Sequence, residues 1–249
     1  MDVGVTSQSP NVNNIEKLHL YDIPLHVLQN SCRLDHPLSQ IPLQNYSLKK
    51  NGTDKNLRKG SAKFFYPNAA LPEETLTEFL HGSFGEQKNG KRPYASAGAL
   101  YPASVVLVAF EDGMKTINRT GVFHYKAKTH CLENITDFSE GAEKIKEALL
   151  GRKTHQYSDA SFALIYLINL DVALYKYRYR GYRHAILEVG AMTSVAERNA
   201  STLGLSSLIW SNFSDYELSS ALGINPTVTP IIMSQLFGID KRNDEKEQS

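Results

Sequence analysis

Lys176-Tyr-Arg-Tyr-Arg-Gly-Tyr-Arg183 carries four cations, three tyrosines and no acid in eight residues. Three readings of this run stay open on physical grounds. As an edge strand, it would set Lys176, Arg178 and Arg180 on one face and pack the tyrosines on the other. As a nucleic-acid surface, its interleaved bases and aromatics would stack on single strands and contact phosphates. As part of a catalytic site, the clustered cations would depress the pKa of Lys176 by like-charge repulsion, helped by burial, making it a usable base near neutral pH. The total charge weighs against the second reading. With 27 Lys and Arg against 26 Asp and Glu, the net charge is +1, so no large field draws the molecule to nucleic acid or an acidic membrane. Charge chemistry must be local.

Working outward, Ala185, Glu188, Met192, Val195, Ala196, Asn199 and Leu203 recur at three- and four-residue steps, the stripe of a long helix with Gly204 as its stop. Before the basic run, residues 161–171 read as a buried strand, as do 105–110 and 228–237. Residues 121–131 alternate like an exposed strand or hairpin arm. Strict alternation puts Cys131 on the face opposite His124 and His130, so no metal site is expected there. Pro72-Glu73-Glu74 opens a helix running to about Gly82, and Ser214-Asp-Tyr-Glu217 is a capping box. Strands separated by helices, without an internal repeat, predict an α+β sandwich.

The 249 residues, 41% apolar and 21% charged, suit one large domain or two small ones and exclude disordered, collagen-like or coiled-coil chains. Cys32 and Cys131 show no disulfide or zinc spacing, and a reducing cytoplasm fits. The amino terminus has no signal-peptide pattern, and no apolar run approaches the ~20 residues of a membrane span. Residues 1 to about 70 are polar and lack sustained periodicity. A second chemical segment is Lys91-Arg-Pro-Tyr-Ala-Ser-Ala-Gly-Ala-Leu-Tyr-Pro102. Its small side chains would let backbone N–H groups approach a flat or anionic ligand, with Ser96 adding a hydroxyl.

Tyr175-Lys-Tyr-Arg-Tyr-Arg-Gly-Tyr-Arg-x-Ala-x-x-Glu188-x-Gly190, with Gly204-Leu205 beyond it, closely resembles the flavin-dependent azoline dehydrogenases of thiazole/oxazole-modified microcin synthetases. Arg92-Pro-Tyr-x-Ser-x-Gly-Ala-Leu-Tyr-Pro102 and Gly121-Val-Phe-His-Tyr125 carry the same resemblance. It implies a nitroreductase-like α+β fold, with a mostly antiparallel sheet flanked by helices, that dimerises and binds FMN at the dimer interface. It further implies a domain over 55–238, between an undefined arm (1–54) and a polar tail (239–249). The implied activity is oxidation of peptide thiazolines and oxazolines to thiazoles and oxazoles. The implied partners are a second copy, cyclodehydratase and leader-peptide-binding subunits, and a precursor peptide, with neither nucleic acid nor membrane.

By position, Lys176 and Tyr177 match the family's catalytic pair. Arg58, Ser61 and Lys63 resemble a phosphate-binding element, with Lys63 where Arg is usual. Ser96, Ala97 and Gly98 would line the flavin, and the stretch from Leu208 through Trp210 to Asn212 would supply backbone near its ring. The chain departs from the family pattern at Ala95-Ser-Ala-Gly98, where Pro-Ser-Gly-Gly is usual, at Asn212, where Gly is usual, and at Ser194-Val195, where Gln-Asn is common. An NAD(P)H-dependent nitroreductase, or a non-catalytic scaffolding or basic-aromatic binding subunit, are the alternative functions.

Overall fold

The computed structural model describes residues 60–66, 71–110, 121–151, 157 and 159–240, with the side chains of 136–143 left aside. The arm over 1–54 and Arg58 lie outside the described residues. All described residues belong to one compact unit, Asp54–Ser249.

The described chain runs α1 (Glu73–Phe84), a 3-10 turn (Ala97–Ala99), β1 (Ala103–Ala109), β2 (Gly121–Lys126), β3 (Cys131–Asp137) and α2 (Phe138–Leu150). It continues with β4 (Phe162–Ile168), α3 (Leu170–Tyr177), α4 (Tyr179–Thr202), β5 (Ser206–Trp210), α5 (Asp215–Ala221) and β6 (Ile231–Gly238). The six strands form one sheet in the order β3-β2-β1-β4-β6-β5, antiparallel at every pairing. This is the expected α+β architecture.

The strand period of two sends β1 and β4 residues to alternate faces. Val105 and Leu107, with Leu164 and Tyr166, pack under α1 and α4. Val106 and Val108, with Ala163 and Ile165, pack under α2 and α5. Both faces are covered, which is why these strands read as unbroken apolar runs. Ala62 and Phe65 are buried in the second layer, and Phe65 bridges Asp240. The packed chain therefore includes Ala62 and Phe65, within the stretch to about residue 70 that showed no sustained periodicity, and Asp240. No helix among the described residues is long and apolar enough to cross a membrane.

Several local expectations hold. Ser214 caps α5, its Oγ accepting the Glu217 N–H, and α4 ends at Thr202 just before Gly204. Three need correction. The strand placed over 161–171 ends at Ile168, because Asn169 caps a new helix by accepting the Val172 N–H at 3.1 Å. The strand placed from 228 begins at Ile231, after a turn held by Asn225. Residues 127–130 turn between β2 and β3, and His130 sits at φ 49, so the alternation does not continue to Cys131.

The edge-strand reading of Lys176–Arg183 is also overturned. The run is the last turn of α3 and the first of α4, broken at Arg178 (φ 50, ψ −138). Its tyrosines do not share a packed face, since Tyr179 and Tyr182 are 93% and 44% exposed while Tyr177 turns inward. The alternation of residue types was a coincidence of composition. What decides the local structure is the Asn169 cap and the crossing of the two helices at Gly181.

Candidate functional site

Gly181 sets the geometry of the basic run. A Cβ there would stand 1.8 Å from the Ala173 carbonyl oxygen, so only glycine lets α4 cross so close to α3. The crossing carries the end of α3 onto the small-residue loop. At Gly98 (φ 62) a Cβ would lie 2.7 Å from Tyr177 Oη and 3.2 Å from Lys176 Nζ. The structure thus brings Lys176 and Tyr177 against the loop that contains Ser96, Ala97 and Gly98, although 78 positions separate Gly98 from Lys176 in the chain. Lys176 is exposed in the single chain, so the burial expected to help its cationic neighbours act on it is not supplied there.

Glu188 holds the loop in place. Ser96 Oγ donates to its Oε2 at 2.5 Å, Ala103 N–H donates to its Oε1 at 3.4 Å, and Tyr101 N–H donates to Ser96 Oγ at 2.9 Å. Burial raises the pKa of Glu188, opposed by the Ser96 and Ala103 hydrogen bonds and by the Arg92 charge. Because the hydrogen of Ser96 is spent on Glu188, the hydroxyl has only acceptor capacity left for a ligand. Ala95, Gly98 and Ala99 are exposed and carry nothing larger than a methyl group, leaving a surface that a flat ring can approach.

His184 beside this loop escaped the sequence reading, and Glu188 was read there without a role. His184 packs edge-on to Tyr177, with centroids 4.9 Å apart, and its Nδ1 is buried without a hydrogen-bond partner. Its spacing of four from Glu188 on one helix was the available signal. Glu188 itself was visible as an acid on an otherwise apolar stripe, and such an acid needs a buried partner.

Ser61, Lys63, Leu208, Trp210 and Asn212 form a second group at the β5 edge of the sheet. Ala62 N–H donates to the Ser207 carbonyl at 2.9 Å, which lays the segment containing Ser61 and Lys63 along β5. Lys63 is exposed and Ser61 half-buried. Trp210 is committed to the fold. Its indole donates to the Leu149 carbonyl at 2.7 Å and packs on Tyr157, and its carbonyl accepts from Ser234 Oγ. Since Ser207 turns its carbonyl outward to Ala62, the two-residue alternation also turns the backbone of Ile209 outward, in place of Leu208 and Trp210. Asn212 is exposed just past the strand. Leu208 and Trp210 pack with the α2 and α5 layer, whereas the Gly98 loop lies against α4.

The nitroreductase family model matches residues 58–239. The chain is 33% identical over 180 residues to McbC, the microcin B17-processing protein of Escherichia coli, covering 71% of this chain and 64% of that protein. It therefore spans slightly under two thirds of that relative's length. A chain of the E. coli microcin synthetase McbBCD complex with truncated pro-MccB17 bound superposes with a TM-score of 0.69 and 26% identity, over 91% of this chain and 85% of that one. The NADPH:FMN oxidoreductase from Vibrio harveyi complexed with NAD+ has a TM-score of 0.52 at 12% identity, over 76% of this chain and 68% of that one, which is a likeness of fold.

Proposed function

The chain belongs to the nitroreductase family, and from that premise we propose that it is an FMN-dependent dehydrogenase that oxidises thiazolines and oxazolines in a ribosomally made peptide to thiazoles and oxazoles. The observation that carries the reading is the placement of Lys176 and Tyr177 directly against Gly98, which sets a basic side chain and a phenol at the surface a flat ring would use. Similarity to McbC and to a chain of the microcin synthetase complex supports the peptide substrate and a synthetase with cyclodehydratase and leader-binding partners.

FMN, when bound, supplies the hydride acceptor. Ser96, Ala97 and Gly98 would flank its ring, with Lys63 and Ser61 toward its phosphate. Aromatising an azoline removes a proton from one ring carbon and a hydride from its neighbour. Lys176 Nζ takes that proton. Tyr177 orients the azoline, its own ring steadied by His184. The two groups of site residues are united when a second copy brings its Gly98 loop to the β5 edge of the first.

The test replaces Lys176 with Ala in the assembled synthetase. The variant should remain yellow with bound FMN yet leave a cyclised precursor two hydrogens per ring heavier than the wild-type product, read by mass spectrometry. Unchanged oxidation by the variant would overturn the assignment.

A further inference from the structure

Residues 100–103 separate two spaces. Leu100 and Pro102 face Tyr177 and His184, whereas Tyr101 and Ala103 face a cavity of about 370 Å3 on the other side, bounded by the β2–β3 hairpin. Its walls are aromatic, from Phe84, Tyr94, Tyr101 and Tyr125. Burial pushes the Tyr94 and Tyr125 phenols up to about 12, so both stay neutral hydrogen-bonding groups. His124 lies in the same wall, its pKa lowered by burial and by Lys126, which leaves it neutral near pH 7.

The charge in the wall is cationic and only partly compensated. Lys126 is paired with Glu133 at 3.0 Å, and Lys128 stands exposed at the rim. Arg92 is fixed, with its guanidinium 4.5 Å over the Tyr101 ring and Nη1 donating to Tyr94 Oη at 2.9 Å. Its Nε–H is buried with no acceptor, and among the described residues no carboxylate lies within ion-pair distance of it. Glu188 feels the Arg92 charge without pairing with it, and Nη2 is committed to no partner among the described residues; a half-buried, immobilised guanidinium with no direct ion pair is a receptor for an anion, because a charged donor bonds a carboxylate strongly. The volume lies within the range of small-ligand sites.

We propose that this cavity is a binding site for a carboxylate borne on an apolar or aromatic body, seated on Arg92 with Lys128 at its entrance. The carboxylate comes either from the peptide substrate or from a free small acid, and only the first source rests on the function proposed above. Occupancy bears on the catalytic loop. Arg92 N–H donates to Tyr101 Oη at 3.1 Å, and Tyr101 N–H donates to Ser96 Oγ, which Glu188 anchors beside Gly98.

Calorimetry on the full chain with N-benzoylglycine and with its amide tests the site without requiring flavin or azoline. The acid should bind, and the amide should bind at least tenfold more weakly. Arg92→Gln and, separately, Lys128→Glu should each weaken the acid by tenfold or more; Lys128 is exposed, so its substitution leaves the fold intact. Equal binding of acid and amide, no binding of either, or indifference to Lys128→Glu would overturn the proposal. In the assembled synthetase, saturating N-benzoylglycine that raises KM for the peptide with kcat unchanged assigns the site to the peptide's carboxylate. An unchanged KM assigns it to a free acid.

Discussion

At position 98 the backbone lies in the left-handed region, at φ 62, and the space a methyl would fill is closed by Tyr177 Oη at 2.7 Å. Gly98→Ala should cost about 1 kcal/mol in stability from the conformation alone. It should cost far more in azoline turnover, because Tyr177 must move aside. Thermal melts beside turnover measurements check this, and a turnover loss no larger than the stability loss predicts would show that the contact does not place Tyr177. Glu188 carries a pH signature. Its pKa is raised above the ordinary 4.5, so the folded protein holds that proton more tightly than the unfolded chain. The stability it contributes is full below about pH 4.5 and is lost as pH rises through the folded value. Urea unfolding across pH should therefore show the wild type losing stability relative to Glu188→Gln as pH rises over that window, and a flat difference would contradict the raised pKa. Lys176 and the Ser96–Gly98 loop stood out as candidates by residue type, and Tyr177 entered through the family resemblance. Arg92 and His184 did not, since a guanidinium without a direct ion pair and a buried ring nitrogen without a hydrogen bond are defined by what the fold leaves around them.

At the scale of elements, the sequence was legible wherever one periodicity had no rival. The apolar runs of β1 and β4, the stripe of α4 and the Ser214 cap each pointed to a single structure. The basic run did not, because alternating residue types satisfy a strand pattern on paper whatever the backbone does, and the decisive facts were a cap at Asn169 and a helix crossing. That crossing can be tested. Gly181→Ala drives a methyl to 1.8 Å from the Ala173 carbonyl, and backbone on both sides must yield. The cost should be about 3 kcal/mol, at the upper end of overpacking penalties. Lys176 and Tyr177 would be displaced with the end of α3. Chemical denaturation should show a lower midpoint with an unchanged slope, and near-wild-type stability would mean that the helices can separate cheaply.

For the whole molecule, the separation of the expected flavin residues into two groups is itself an argument about assembly. One group lies against α4 around Gly98 and the other along the β5 edge around Ser61, Lys63 and Asn212. In the function proposed above a second copy brings them together, and an exposed surface suited to that copy is present. Tyr179, Tyr182 and Ile186 recur at steps of three and four along α4, with Leu187 beside them, and all four are exposed. Tyr179 is 93% exposed and Leu187 65%, an apolar strip of a kind that marks interaction surfaces. The wild type should therefore sediment as a dimer and carry flavin. Ile186→Glu and Leu187→Glu would each bury a carboxylate with no counter-charge on this strip, a cost of several kcal/mol that weakens association at least a hundredfold. Both side chains point away from the core of their own chain, so each monomer should stay folded, as circular dichroism would show. What it should lose is flavin absorbance, because neither group of residues holds the cofactor alone. A folded, yellow monomer would refute the shared site, and a dimer indifferent to both substitutions would move the interface away from α4.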